Sequence, residues 1–163
     1  MPCRAEEVIV NGDVDTVVSW EPHVSTIKKK LGDKLVIWPA QSGQPLYKNV
    51  TATNAWLAQQ PGLVKRVLKS LAQAESFMVL HPDQAKTIVR KRLQYNDEYI
   101  ASVWPSNQSF LSLDQSLIAA MEDEARWMIK NNLTTAKQIP DFVSYIYEDG
   151  LKAVKPEGVN IIR

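Results

Sequence analysis

Residues 11–24 read NGDVDTVVSWEPHV, and the fold class turns on how this stretch is read. Asn11 and Gly12 both accept the left-handed backbone of a helix C-cap, so they predict the stop of a short helix over residues 4–11. Val14, Val17 and Val18 with Thr16 form a β-branched run of strand length, which predicts a strand over residues 14–20. Trp20-Glu21-Pro22 closes it, and Pro22 suits the first turn of a following helix because its missing N–H is no loss there. An aromatic and a carboxylate then stand at the carboxyl end of a strand, where open α/β sheets hold their ligands.

On the carboxyl side, residues 22–31 predict a second helix, ended by Leu31-Gly32-Asp33. Leu35-Val36-Ile37-Trp38 predicts a second strand, stopped by Pro39, and residues 39–46 a loop or linker. Residues 47–53 alternate and predict a third strand or an extended crossover, with Asn54 as N-cap of a short helix over 55–60. From Pro61 the pattern turns helical. Val64, Val67, Leu68, Leu71 and Met78 mark the buried face of a long helix. His81-Pro82-Asp83 breaks it and starts another helix carrying Ile88, Val89 and Leu93. Asn96 caps a short helix that Pro105 ends. Ser112 is read as the cap of a long helix over 113–131, striped by Leu113, Leu117, Met121, Ala125 and Met128, with Asp114 in its first turn. Pro140 introduces a helix over 141–147, then 151–154, and a tail through 159–162. The expected fold class is α/β, with two or three short strands and six or seven helices, helix-rich after residue 54. Val14–Ser19 is apolar on both faces and needs strands beside it, from Leu35–Trp38 or from another chain.

Composition narrows the function. Net charge is +1, so no large field draws the chain towards nucleic acid or an anionic membrane. The clusters Lys28-Lys29-Lys30 and Arg90-Lys91-Arg92 read as solvated helix faces. Cys3 is the only cysteine, which excludes an internal disulfide and a cysteine-built metal site. Residues 1–10 lack the apolar core of a secretory signal, so the chain as written is expected in the cytoplasm. No stretch has the length of a membrane span.

Four motifs in order, NGDVDTVVSWEPHV, LGDKLVIWP, PGLVKRVLKSLAQAESFMVLHPDQA and LSLDQSLIAAMEDEARWMI, resemble the carboxyl-terminal half of solute-binding proteins of ABC importers. The type is the nitrate/sulfonate/taurine group, which includes thiamine-precursor binders. The resemblance covers nearly all of the chain from Arg4. It implies a partial periplasmic-binding-protein-like (type II) fold, with residues 1–40 a remnant of the second lobe, 41–53 a hinge crossover and 54–163 the helical part of the first lobe. It also implies a small organic or oxyanion solute as ligand, relatives that dock on an ABC permease, and a periplasmic setting. The amino-terminal lobe strands of such a receptor have no counterpart in these residues. A truncated chain of that kind is expected to bind solute weakly as a monomer and to form a homodimer by strand completion or exchange. The alternative is a non-binding oligomeric structural or interaction module derived from the same fold.

Trp20, Glu21 and Trp38 are the candidate ligand-binding residues. Glu21 at a strand tip can accept a hydrogen bond from a ligand's amine or hydroxyl while the Trp20 indole stacks on it. The resemblance implies ligand contacts at this Trp-Glu-Pro. The competing reading is that Glu21 favours the N-terminus of the helix that Pro22 begins. Trp38 and Trp56 flank the linker, where they can line a cleft or pack in a core, and Trp104 and Trp127 read as core. Asp15 is read as a hinge or backbone hydrogen-bonding residue rather than a chemical one. His23 and His81 have no carboxylate at metal spacing and read as surface or capping groups. Glu122 and Asp123 point to different sides of a helix and do not form an acid/base pair. No P-loop, nucleophile elbow, glycine-rich dinucleotide turn or zinc spacing occurs, so neither catalytic residues, metal nor cofactor is expected and the chain is read as a non-enzyme.

Overall fold

The computed structural model describes residues 4–40, 45–107 and 109–162; Cys3 and linker residues 41–44 lie outside them. The chain divides into two compact units, Met1–Leu46 and Tyr47–Arg163.

In the first unit, helix α1 (Arg4–Asn11) ends at Gly12, whose φ is +79°. Two bonds close it, from Gly12 N to the Ile9 carbonyl at 3.3 Å and from Asp13 N to the Val8 carbonyl at 2.9 Å. This is the Schellman pattern, which satisfies carbonyls the helix leaves free. Helix α2 (His23–Leu31) follows, and a single 3₁₀ turn (Gly32–Lys34) extends it. The two helices pack on each other. Ile27 is the buried apolar residue of this unit among those described.

The expectation of an α/β fold is overturned, and with it that of a partial periplasmic-binding-protein-like (type II) fold, which is built on strands. Eight α-helices carry the described residues, and the β structure among them is one isolated parallel bridge, Leu113 to Val159. Residues 14–20 and 35–39 are non-helical and join no ladder, and neither do residues 47–53. The cause is that β propensity measures fit to a pleated, half-buried surface and needs a neighbour to act on. Here the β-branched pattern is present and the neighbour is not. Val18 (81% exposed), Val36 (64%) and Trp38 (73%), which a covered strand would bury, face solvent.

Apart from that bridge, the second unit is built on helices: α3 (Asn54–Gln59), α4 (Pro61–Leu80), α5 (Pro82–Leu93), α6 (Asp97–Val103), α7 (Gln115–Lys130) and α8 (Glu148–Lys152). Pro61 and Pro82 open α4 and α5 at the position where a missing N–H costs nothing. Asn96 caps α6, its side chain accepting from Tyr99 N at 2.8 Å. Thr53, not Asn54, caps α3 by accepting from Trp56 N at 3.2 Å. Ser112 does not cap α7; its hydroxyl donates to the Asp114 carboxylate at 2.5 Å, and Asp114 holds the cap position. The region after Pro140 forms a 3₁₀ turn (Phe142–Tyr145) before α8 rather than one α-helix. The core is Val64, Ala85, Ile100, Leu117, Ile118 and Leu151. On α4 the predicted stripe is half realised: Val64 is buried, whereas Val67 and Leu71 stay 43% and 39% exposed. Trp127, read as core, is 58% exposed.

A polar staple closes this unit. Lys155 Nζ donates to Glu75 at 2.6 and 2.7 Å and to the Leu111 carbonyl at 3.1 Å, joining α4, the approach to α7 and the segment after α8. Both side chains are largely buried, at 19% and 15% exposed, so either charge left alone would be poorly solvated. Lys155→Met should therefore lower the stability of this unit by about 2 kcal/mol, the scale of charge-assisted hydrogen bonds. Urea unfolding followed by helical circular dichroism reads the effect, and an unchanged midpoint would show that the staple contributes nothing.

Candidate functional site

Trp20 and Glu21 sit just before α2, at the end of the unpaired segment 14–20. The Trp20 indole is 65% exposed and meets the His23 ring edge-on, with centroids 5.8 Å apart and planes at 82°. His23 Nδ1 in turn lies 2.6 Å from Glu6 Oε1. Glu6 is one of the buried charged residues, at 6% exposed, and its other oxygen is 3.9 Å from Lys30 Nζ. The first helix thus holds a carboxylate that grips both ends of the second. Through His23 that grip reaches the indole, so Trp20 is an exposed aromatic with a built support.

Glu21 is exposed, and its peptide bond to Pro22 is cis. Its Oε2 accepts from Ser25 N at 3.3 Å. That bond meets one of the free N–H groups of the first turn of α2, so the capping role is present. The second carboxylate oxygen has no hydrogen-bond or ion-pair partner among the described residues. Trp38 lies at the end of the other unpaired segment, 73% exposed, with no ring contact or hydrogen bond joining it to Trp20 or Glu21. The three candidate residues therefore form one adjacent pair and one separate aromatic.

Sequence reasoning missed the Glu6–His23 pair. His23 reads as an isolated histidine, and the two residues are 17 apart in the chain. The available signal was a carboxylate on the inner face of a helix one short segment away from a helix that begins with histidine.

The second unit has a cleft of about 420 Å³ between α5 and α6, lined by Asp83, Lys86, Arg90, Asp97 and Trp104. Its cations are already engaged: Lys86 with Asp83 at 3.0 Å and Arg90 with Asp97 at 3.3 Å. Lys86 Nζ also stands 5.9 Å from the Trp104 ring centroid. A ligand would have to displace these pairs, so the cleft offers no ready-made charge. Arg126 likewise pairs with Glu122 at 2.9 Å and Asp123 at 2.5 Å, which makes that acidic run a solvated face. No group of three or more His, Cys, Asp or Glu side chains suited to a metal ion occurs among the described residues. Among the described residues no helix is long and apolar enough to cross a membrane.

No protein-family model, no curated protein and no solved structure matches the chain.

Removing the Glu6 charge tests the support beneath the indole. Glu6→Gln should loosen α1 from α2 by about 1–3 kcal/mol, since it removes the negative charge and one of the two acceptor oxygens that face His23 and Lys30. It should also shift the emission of Trp20, which a Trp20→Phe control identifies among the five tryptophans. Unaltered hydrogen exchange across α1 and α2 would show the pair to be incidental.

Proposed function

We propose that this chain recognises a small organic or oxyanion solute for an ABC import system, through Trp20, Glu21 and Trp38. Its site is incomplete in a single copy. The observation that carries the reading is the supported indole: Trp20 is exposed, yet braced by His23 against the buried Glu6. Scattered surface apolar residues need no explanation, but an aromatic held in place while facing water is suited to stacking on a ligand. The neighbouring Glu21 oxygen, not used by Ser25, adds an acceptor for a ligand's amine or hydroxyl. The four-motif resemblance to solute-binding proteins gives the solute class. Pockets bury most of a ligand's surface, and one exposed edge does not, so affinity in a lone copy is weak.

A second reading is a non-binding oligomeric module. The exposure of Val14, Val18, Val36 and Ile37 beside the tryptophans favours it, because such a surface is suited to association.

A thermal-shift screen with amino-sulfonates, nitrate, polyamines and pyrimidines separates the two, since a ligand of the native state alone raises the melting temperature. At least one class should do so, and Trp20→Ala or Glu21→Ala should abolish the response. Silence from every class at millimolar concentration would overturn the solute reading and leave the module.

A further inference from the structure

We propose that two copies of this chain form a two-fold dimer in which residues 16–19 of each lie parallel to residues 35–38 of the other, with Asp15 meeting Lys34 just ahead of the paired stretch, so that the solute site is shared between them. The proposal rests on the solute reading above and names what completes that site.

Two observations carry it. The first is the pair of open segments. Val14, Val18, Trp20, Val36, Ile37 and Trp38 are all 39–81% exposed, and the segments that hold them join no ladder among the described residues. Ser19 Oγ, in the same stretch, is buried with no hydrogen-bond partner. An unpaired strand edge presents rows of N–H and C=O groups that recruit another strand.

The second is charge and register. Asp15 and Lys34 have no ion-pair partner among the described residues. Setting Asp15 opposite Lys34 of a second copy aligns Thr16 with Leu35, Val17 with Val36, Val18 with Ile37 and Ser19 with Trp38. Each copy supplies both halves of the match, which is what an isologous two-fold interface requires. Opposite charges and β-branched pairs directly across a sheet are the favourable ones.

The parallel sense has a chemical consequence. It brings the carboxyl ends of both segments to one edge, so Trp20 and Glu21 of one copy stand beside Trp38 of the other. The candidate residues that one copy leaves apart would then line one site.

Charge complementation tests this. By size-exclusion light scattering the unmodified chain should have twice its own mass. Asp15→Lys and Lys34→Asp should each raise the dimer dissociation constant at least about tenfold, because like charges then oppose each other twice per dimer. Helical circular dichroism should be unchanged, since neither residue lies in an α-helix. Mixing the two single variants should restore the dimer, as each then meets its opposite, and the double variant should dimerise alone. A monomeric unmodified chain at tens of micromolar, or a mixture that behaves as its components do, would overturn the proposal. A dimer that passes but takes no solute leaves the pairing standing and sinks the solute reading. A solute that stabilises a monomer does the reverse.

Discussion

A peptide group removed from water must find a hydrogen-bond partner, and this requirement separates the two halves of the molecule. A helix meets it within its own segment; a strand meets it only through a neighbour. The second unit is mostly helices whose ends are closed by Thr53, Asn96 and the prolines, and it buries six apolar side chains among the described residues. The first unit carries two β-branched segments with nothing alongside, and its helices hold together around Ile27 and the buried Glu6. A single buried apolar side chain yields about 1.5–3 kcal/mol, which is small against the entropy of ordering some forty residues. Polar contacts must therefore define the geometry here more than apolar packing does.

That dependence links the stability of the first unit to the candidate site. Glu6 accepts from His23, His23 meets the edge of Trp20, and Glu21 caps the helix that His23 begins. The groups that orient the candidate ligand contacts are the groups that join α1 to α2. Disturbing either side of this arrangement reaches the other within a few bonds. The α5–α6 cleft differs in kind. Its charges compensate one another, so it is closer to a settled surface than to a receptive one.

The sequence disclosed the helices well because their signals are local. Gly12, Pro61 and Pro82 act through their own backbone and Asn96 through a side chain that reaches three residues on, and the structure uses each as its chemistry suggests. Errors of a residue or two arose where several capping groups compete, as with Thr53 beside Asn54 and Asp114 beside Ser112. The strands were misjudged for the opposite reason. Val14–Ser19 has the composition of a covered strand, but composition cannot say whether anything covers it. Trp20 and Glu21 could be singled out because they are neighbours in the chain. The support beneath them could not, since Glu6 and His23 meet only after α1 folds back on α2.

Four hydrogen bonds bear on the order in which the chain acquires its form. The start of α7 is held by residues far downstream: Leu113 N donates to the Gly158 carbonyl at 2.8 Å, Asn160 N returns a bond to Leu113 at 3.0 Å, and Gln115 bonds both Asn160 and Ile162. These partners are separated by 45 to 47 residues. At a synthesis rate of about 5–20 residues per second, α7 emerges seconds before the groups that fix its first turn. The helix itself can form in microseconds. Its anchorage cannot, so throughout that interval the second unit is a set of made helices awaiting their final register.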